Sequence, residues 1–319
     1  MAHSIYSSCI GTFVFSDKKL VEERLFNNSE ILTFNQLLEQ KKEIEPETTF
    51  AKKYPGEIIK KDVPTWVLDF FNQKKYLELI KSATLLYTKR KIAESLRPEY
   101  LLIQAINNID EIDKVANNLG KRLREWYELY NPEFSKSIED HEKFAEIIQQ
   151  KSRQELLQEV GITEAESMGA EISKKDLEPV MKLAKELSSL FVLRANQVEY
   201  IEQGMKEQLP NVNAMCGAMI GAKLLAVAGS LEKLALFPAS TIQLLGAEKA
   251  LFRHMKTGAK PPKFGIIINH PIVMRTKQSD KGKSARMLAD KISIAAKIDF
   301  FKGEFRGDSL RMEVEAKFK

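Results

Sequence analysis

Cysteine is scarce in this sequence: only Cys9 and Cys216 occur among 319 residues. Two distant thiols in apolar surroundings argue against a disulfide-stapled secreted scaffold, so buried, reduced thiols in a cytosolic protein are expected. Long apolar runs are lacking too. The run over residues 214–222 stops at Lys223, far short of the ~20 residues a membrane-spanning helix requires, and no membrane partner is expected. No charged start followed by an apolar core and a small-residue cleavage site opens the chain, so no signal peptide is expected. Histidine occurs four times: His3 stands alone, His141 lies far from it, and His254 and His270 fall in the basic segment with no grouped carboxylates beside them. That leaves no metal cluster and no acid–base pair, and no enzyme is expected. A phosphate loop is lacking as well. Gly282, Lys283 and Ser284 resemble its end, but Lys277 stands where the first glycine must let the backbone curl. The tripeptide at 306–308 and the glycosylation-type triplet at 27–29 carry nothing without a secretion signal.

What is present begins with size and charge. A chain this long, 44% hydrophobic, can bury two or three cores. The net charge is a mild +5, yet residues 249–297 alone carry +10 and the remainder −5. Charge segregated in this way marks one electrostatic footprint, so an acidic partner should dock on the C-terminal third.

Three regions follow from the patterns. Residues 1–99 read as a small α/β domain with nearly balanced charge. It has one buried strand over 4–15, a helix-prone piece over 19–26, an apolar run at 31–34 and a helix over 35–42. Residues 100–209 hold two apolar series stepping by threes and fours. One is Leu102, Ala105, Ile109, Ile112, Ala116, Leu119, Leu123, Trp126 and Tyr130. The other is Leu177, Val180, Ala184, Leu187, Phe191, Arg194, Val198, Ile201 and Met205. Four heptads in each predict a long coiled coil, and Pro132, Gly161 and Gly169 between them let the chain reverse into an antiparallel pair with a helical piece at 140–160. Residues 210–319 open with small residues at helical spacing and read as a packed all-α domain. The fold expected is therefore multidomain and mostly α.

Residues 238–273, PASTIQLLGAEKALFRHMKTGAKPPKFGIIINHPIV, concentrate the footprint. A turn at 238–240 and an apolar run at 242–245 lead to Gly246 and a short helix over 247–256. On that helix Lys249, Arg253 and Lys256 fall on one side and Leu251 and Met255 on the other, so the apolar side is expected to rest on a core. Bare N–H groups at Gly246 and Ala247 would favour a phosphate at the helix start. A stiff strap with Lys260 and Lys263 then leads to an expected strand over 265–268. In the last helix, over 283–297, Lys283 and Arg286 extend the basic face while Leu288, Ile292 and Ala295 bury.

These residues resemble the signature of the Nop-domain family. LGKRLREWYELYNPEF (119–134), SMGAEISKKDLEP (167–179) and GAKLLAVAGSLEKLALFPAS (221–240) extend the likeness over most of 119–300. Phe264 and Ala218 depart from it, standing where histidine and proline are usual, and Lys260 stands where arginine is commoner. Within the family the chain is most similar to archaeal box C/D ribonucleoprotein scaffolds. The resemblance implies a non-catalytic scaffold in an archaeal cytoplasm. Residues 1–99 would dock fibrillarin, whose own S-adenosylmethionine methylates ribose, so this chain needs no cofactor. The C-terminal domain would bind box C/D guide RNA together with a small ribosomal-type protein on its kink-turn. Its binding set would be Gln243, Gly246, Ala247, Glu248, Lys249, Arg253, Lys256, Lys260, Lys263, Lys283 and Arg286. The coiled coil would pair two copies as a homodimer, through Ile109, Ile112, Leu119, Leu123, Leu187, Phe191, Val198 and Ile201. The alternative is a spliceosomal-type Nop-domain protein using the same RNA surface. Such proteins usually lack the N-terminal domain, and the lysine-rich tail of nucleolar members is not expected here.

Overall fold

A computed structural model describes residues 3–39, 45–60 and 63–318. The chain forms two compact units, Met1–Arg97 and Pro98–Lys319, and the break expected at residue 209 falls inside the second.

In the first unit, β1 (His3–Ser8), β2 (Gly11–Ser16), β3 (Lys19–Leu25) and β4 (Gly56–Ile58) make one sheet in the order β3-β2-β1-β4. The helices are α1 (Asn28–Glu39), α2 (Glu45–Lys53), α3 (Thr65–Phe71) and α4 (Lys74–Glu94). The single strand expected over 4–15 is instead a hairpin, with β1 and β2 antiparallel and Ser8 opposite Gly11. The helix-prone 19–26 is a strand. Asp17 and Lys18 both take positive φ, 50° and 61°, the left-handed pair that a two-residue hairpin turn requires. Pairing with β2 then overrides the helix propensity of KLVEER. Residues 40–42 of the expected helix lie outside the described residues. The central strand β2 is covered on both faces. Phe13 and Phe15 meet Phe71, Tyr76 and Trp66 edge-on, while Val14 joins Ile5 and Phe50 on the other side. On β3, Glu22 accepts from Lys53 and the Tyr54 hydroxyl, and Glu23 from Lys75 and the Tyr76 hydroxyl, which fastens the edge strand.

The second unit has helices and connecting turns, and no strand among its described residues. Two long helices, α5 (Pro98–Tyr127) and α9 (Lys174–Gln208), flank the short α6 (Pro132–Ser137), α7 (His141–Gln150) and α8 (Arg153–Glu159). Leu102 packs against Gly204, and Arg194 donates to Asp113 at 2.5 Å, so α5 and α9 run antiparallel. At 1.5 Å per residue they extend roughly 45 and 52 Å. The heptad series supplies the seam: Ile109, Ile112, Leu123, Leu187 and Ile201 are buried, and Leu119, Phe191 and Val198 are half-buried. Within this chain the seam is therefore internal: the hairpin buries five of these side chains and half-covers the other three. The last step but one of the α5 series also slips: Tyr127 is buried in the place expected of Trp126, which is 39% exposed. Three short helices fill the reversal. Ser152 with Glu155 forms a capping box that splits the expected 140–160 helix in two. Arg124 fixes the corner by donating to His141 Nδ1 and to the carbonyls of Ser135 and Asp140.

The other end of the hairpin enters the C-terminal head. This comprises α10 (Pro210–Cys216), α11 (Ala218–Ala228), α12 (Leu231–Leu236), α13 (Ala239–Leu244), α14 (Glu248–Thr257), a 3-10 turn (Ile266–Asn269), α15 (Pro271–Arg275), α16 (Lys281–Phe300) and α17 (Gly307–Lys317). One core joins Leu102, Ile106 and Met205 of the long helices to Leu224, Ile242, Leu288 and Ile292. Each such fully buried side chain contributes about 1.5–3 kcal/mol. Asp299 on α16 caps α10, accepting from the amides of Asn211 and Val212 at 3.1 and 2.9 Å. Burial still holds its carboxyl above the usual range. Among the described residues no single helix is long and apolar enough to cross a membrane; α10 and α11 reach that composition together but bend by 116°.

Candidate nucleic-acid interface

The base of the site is a knot of backbone. Gly265 donates to the Gln243 carbonyl and Ile266 to the Leu245 carbonyl, each at 2.8 Å, and Gln243 Nε2 donates to the Lys263 carbonyl at 2.6 Å. Two glycines make this possible. A Cβ on Gly265 would lie 1.9 Å from the Leu245 carbonyl oxygen. Gly246, at φ 86°, would bring one within 2.5 Å of Ile266. Residues 247–264 therefore leave and rejoin the head at one pinned point. The expected strand at 265–268 is a 3-10 turn, because no neighbouring strand offers it a ladder and Ile267 is drawn into the core.

Within that excursion α14 is ordered by its own ends. Glu248 lies in the first turn and Lys256 in the last, matching the helix dipole. Gly258 closes it at φ 67°, its N–H donating to the His254 carbonyl at 2.9 Å. The His254 ring also pairs with the Ala259 carbonyl. Lys249, Arg253, Lys256, Lys260 and Lys263 are all exposed, as expected. The apolar side differs from expectation. None of the residues of α14 is buried: of the expected apolar pair Leu251 is half-buried and Met255 71% exposed, and Phe252 is 60% exposed as well. Leu251 is half-covered, but no residue of α14 joins the core of the head.

Two expected groups are also engaged differently. The Gly246 N–H donates to Glu248 Oε1 at 2.8 Å and the Ala247 N–H to the Leu244 carbonyl at 2.9 Å, so neither is bare. Glu248 thus serves the local turn. The donors left for an anion are the first-turn amides of α14, where Ala247 provides no side-chain cap.

Lys283 and Arg286 lie elsewhere, on the exposed face of α16. They line a groove of about 1590 Å³ bounded by α13, residues 271–280, α16 and α17. The expected cations thus fall into two sets, one on α14 with its strap and one in this groove. Arg311 and Lys317 of α17 also line the groove and were missed, because they lie outside the 249–297 charge window. On α17 Arg311 follows directly on buried Leu310 and so flanks the stripe that Leu310 and Val314 turn to the core. Beneath the groove His270 caps α15. Its Nδ1 accepts the Ile272 N–H at 3.2 Å while Nε2 pairs with the Met215 carbonyl at 3.0 Å, which fixes the neutral ring. Burial, with Arg311 and Arg275 nearby, holds its pKa below the ordinary 6.5.

The second unit is thus an antiparallel helical hairpin carrying a helical head with an exposed basic helix. The chain belongs to the Nop family: the family model described as "snoRNA binding domain, fibrillarin" matches residues 108–319. An uncharacterised NOP5 family protein of Methanocaldococcus jannaschii is 38% identical over 76% of this chain and 61% of its own length. Nucleolar protein 56 of Dictyostelium discoideum is 39% identical over 72% of this chain and 47% of its own. The chain thus spans about half to three-fifths of these two relatives. A chain in a crystal structure of a fibrillarin/Nop5p complex aligns over 98% of both chains at 24% identity, with a TM-score of 0.46.

Proposed function

We propose that this chain is a non-catalytic scaffold of a box C/D guide ribonucleoprotein. The head grips guide RNA together with the kink-turn protein bound to it, and residues 1–97 hold fibrillarin, which brings S-adenosylmethionine and transfers the methyl group. The observation that carries this is α14: a pinned helix whose cations and apolar side chains are both uncovered. The cations suit phosphates, and Phe252 with Met255 suits a protein surface, so one helix can read an RNA and its protein together. The family description, naming snoRNA binding and fibrillarin, supports the same partners. Self-association is retained in revised form. With the heptad seam internal, a second copy would meet the outer faces, where Leu101, Val115 and Trp126 of α5 and Val192, Leu193 and Tyr200 of α9 are exposed. An archaeal cytoplasm is the proposed setting.

The test is reconstitution with guide RNA, kink-turn protein and fibrillarin, reading labelled methyl transfer to target RNA. The full chain should support transfer, and a chain lacking residues 1–97 should bind RNA yet fail to support it. Transfer without fibrillarin would end the scaffold reading, and full transfer from the truncated chain would move the fibrillarin dock elsewhere.

A further inference from the structure

The groove between α16 and α17 is more than an extension of the α14 surface. Six cations line it: Arg275, Lys277, Lys283, Arg286, Arg311 and Lys317. Lys283 is held by Asp280 at 3.0 Å and Arg311 by Glu315 at 2.8 Å. The other four are exposed and make no ion pair among the described residues. Like charges converging on one concavity repel each other, and an anionic occupant relieves that repulsion.

The groove is also connected. Past Ser240 and Gln243 it opens into a recess of about 520 Å³ that reaches Lys263 and Phe264, at the foot of the strap leaving α14. A cationic path therefore runs from the strap along α16 to α17. Ser240 stands beside it, and such a hydroxyl, with Arg and Lys, is a usual partner of phosphate oxygens. An acidic peptide fits less well: the walls are helices, with no free strand edge to pair with an extended chain.

We propose that this groove is a track for the phosphodiester backbone of RNA, taking the stretch that continues beyond the part held at α14, resting as it does on the RNA-binding function proposed above. The probe is a labelled kink-turn RNA with a long flanking stem, titrated with the full chain and kink-turn protein at several salt concentrations. Replacing Arg275, Lys277, Arg311 and Lys317 together by alanine should flatten the salt dependence by about 0.7–0.9 log units per lost contact. The difference from wild type should vanish when the stem is cut back to the kink-turn. Asp290→Asn, which removes a carboxylate from the groove wall, should tighten binding of the long RNA. Circular dichroism and thermal melting check that the variants fold. An unchanged slope in a folded quadruple variant, with wild type binding RNA, overturns the track and leaves the function standing. Failure of the wild type to bind the RNA–protein complex overturns the function itself. Polyglutamate that binds the wild type and not the variant, while RNA binding is equal in both, would make the groove a protein site and overturn the proposal.

Discussion

The α5–α9 seam and α14 are both amphipathic by spacing, and the molecule treats them in opposite ways. Along the seam Ile109, Leu123, Leu187 and Ile201 are almost fully buried, because each long helix finds the other within the chain. On α14 the same kind of pattern finds no core: Leu251 is only half-covered, and Phe252 and Met255 stay in solvent. Periodicity states that a helix has an apolar side. Whether that side is a core or an interface depends on what the rest of the chain places beside it.

The largest test of this contrast is in the seam. Ile109→Ala and Leu187→Ala should each lower stability by roughly 2–5 kcal/mol, because they empty a closed core. Urea melts would measure this, and a loss below 1 kcal/mol would reopen the seam as a surface for a second copy.

On α14 the expectation reverses. Phe252→Ala and Met255→Ala should change stability by no more than about 0.5 kcal/mol. Changing Lys249, Arg253 and Lys256 to alanine should flatten the salt dependence of ribonucleoprotein binding by roughly 0.7–0.9 log units per lost contact. An apolar pair that matters for folding, or cations that leave the slope unchanged, would erase the distinction drawn here.

A smaller, pH-dependent effect separates the head from the seam. His270 is held neutral in the folded state, so its pKa lies below 6.5 there and rises to the ordinary value on unfolding. The unfolded chain then takes up the proton first, and stability falls as pH drops below about 6.5 toward the folded pKa. In His270→Asn the amide oxygen can still cap Ile272 but cannot titrate, so the melting temperature between pH 7 and 5 should fall less steeply than in wild type. Parallel curves would remove His270 from this role. Smallest of all, Lys182→Ala breaks an exposed i,i+4 pair with Glu178 on α9, and no measurable change in the melt is expected.

Much of the architecture was legible because long periods average over local noise. Eight heptads across two segments specified the hairpin, and Leu288, Ile292 and Ala295 were rightly read as the buried side of α16. Short elements were misread where pairing decides. KLVEER has helical composition and becomes a strand only because a left-handed turn at Asp17–Lys18 lays it against β2. The apolar run at 265–268 has strand composition and becomes a turn because no strand lies alongside. In the candidate site, the cations on α14 could be read from spacing alone. The groove could not, since Arg275, Arg286 and Arg311 come from three helices that only packing brings together.

The sequence by itself determined the helical hairpin, the separate α/β unit, the segregation of positive charge and the family, because each is written in runs long enough to outweigh local ambiguity. The tertiary structure alone decided that the heptad residues face each other within one chain and that α14 has no core beneath it. It also decided that the Gly246 and Ala247 amides are already bonded and that α17 closes a second basic surface. These are questions of which groups meet, and meeting depends on distances across the fold that spacing along the chain does not encode.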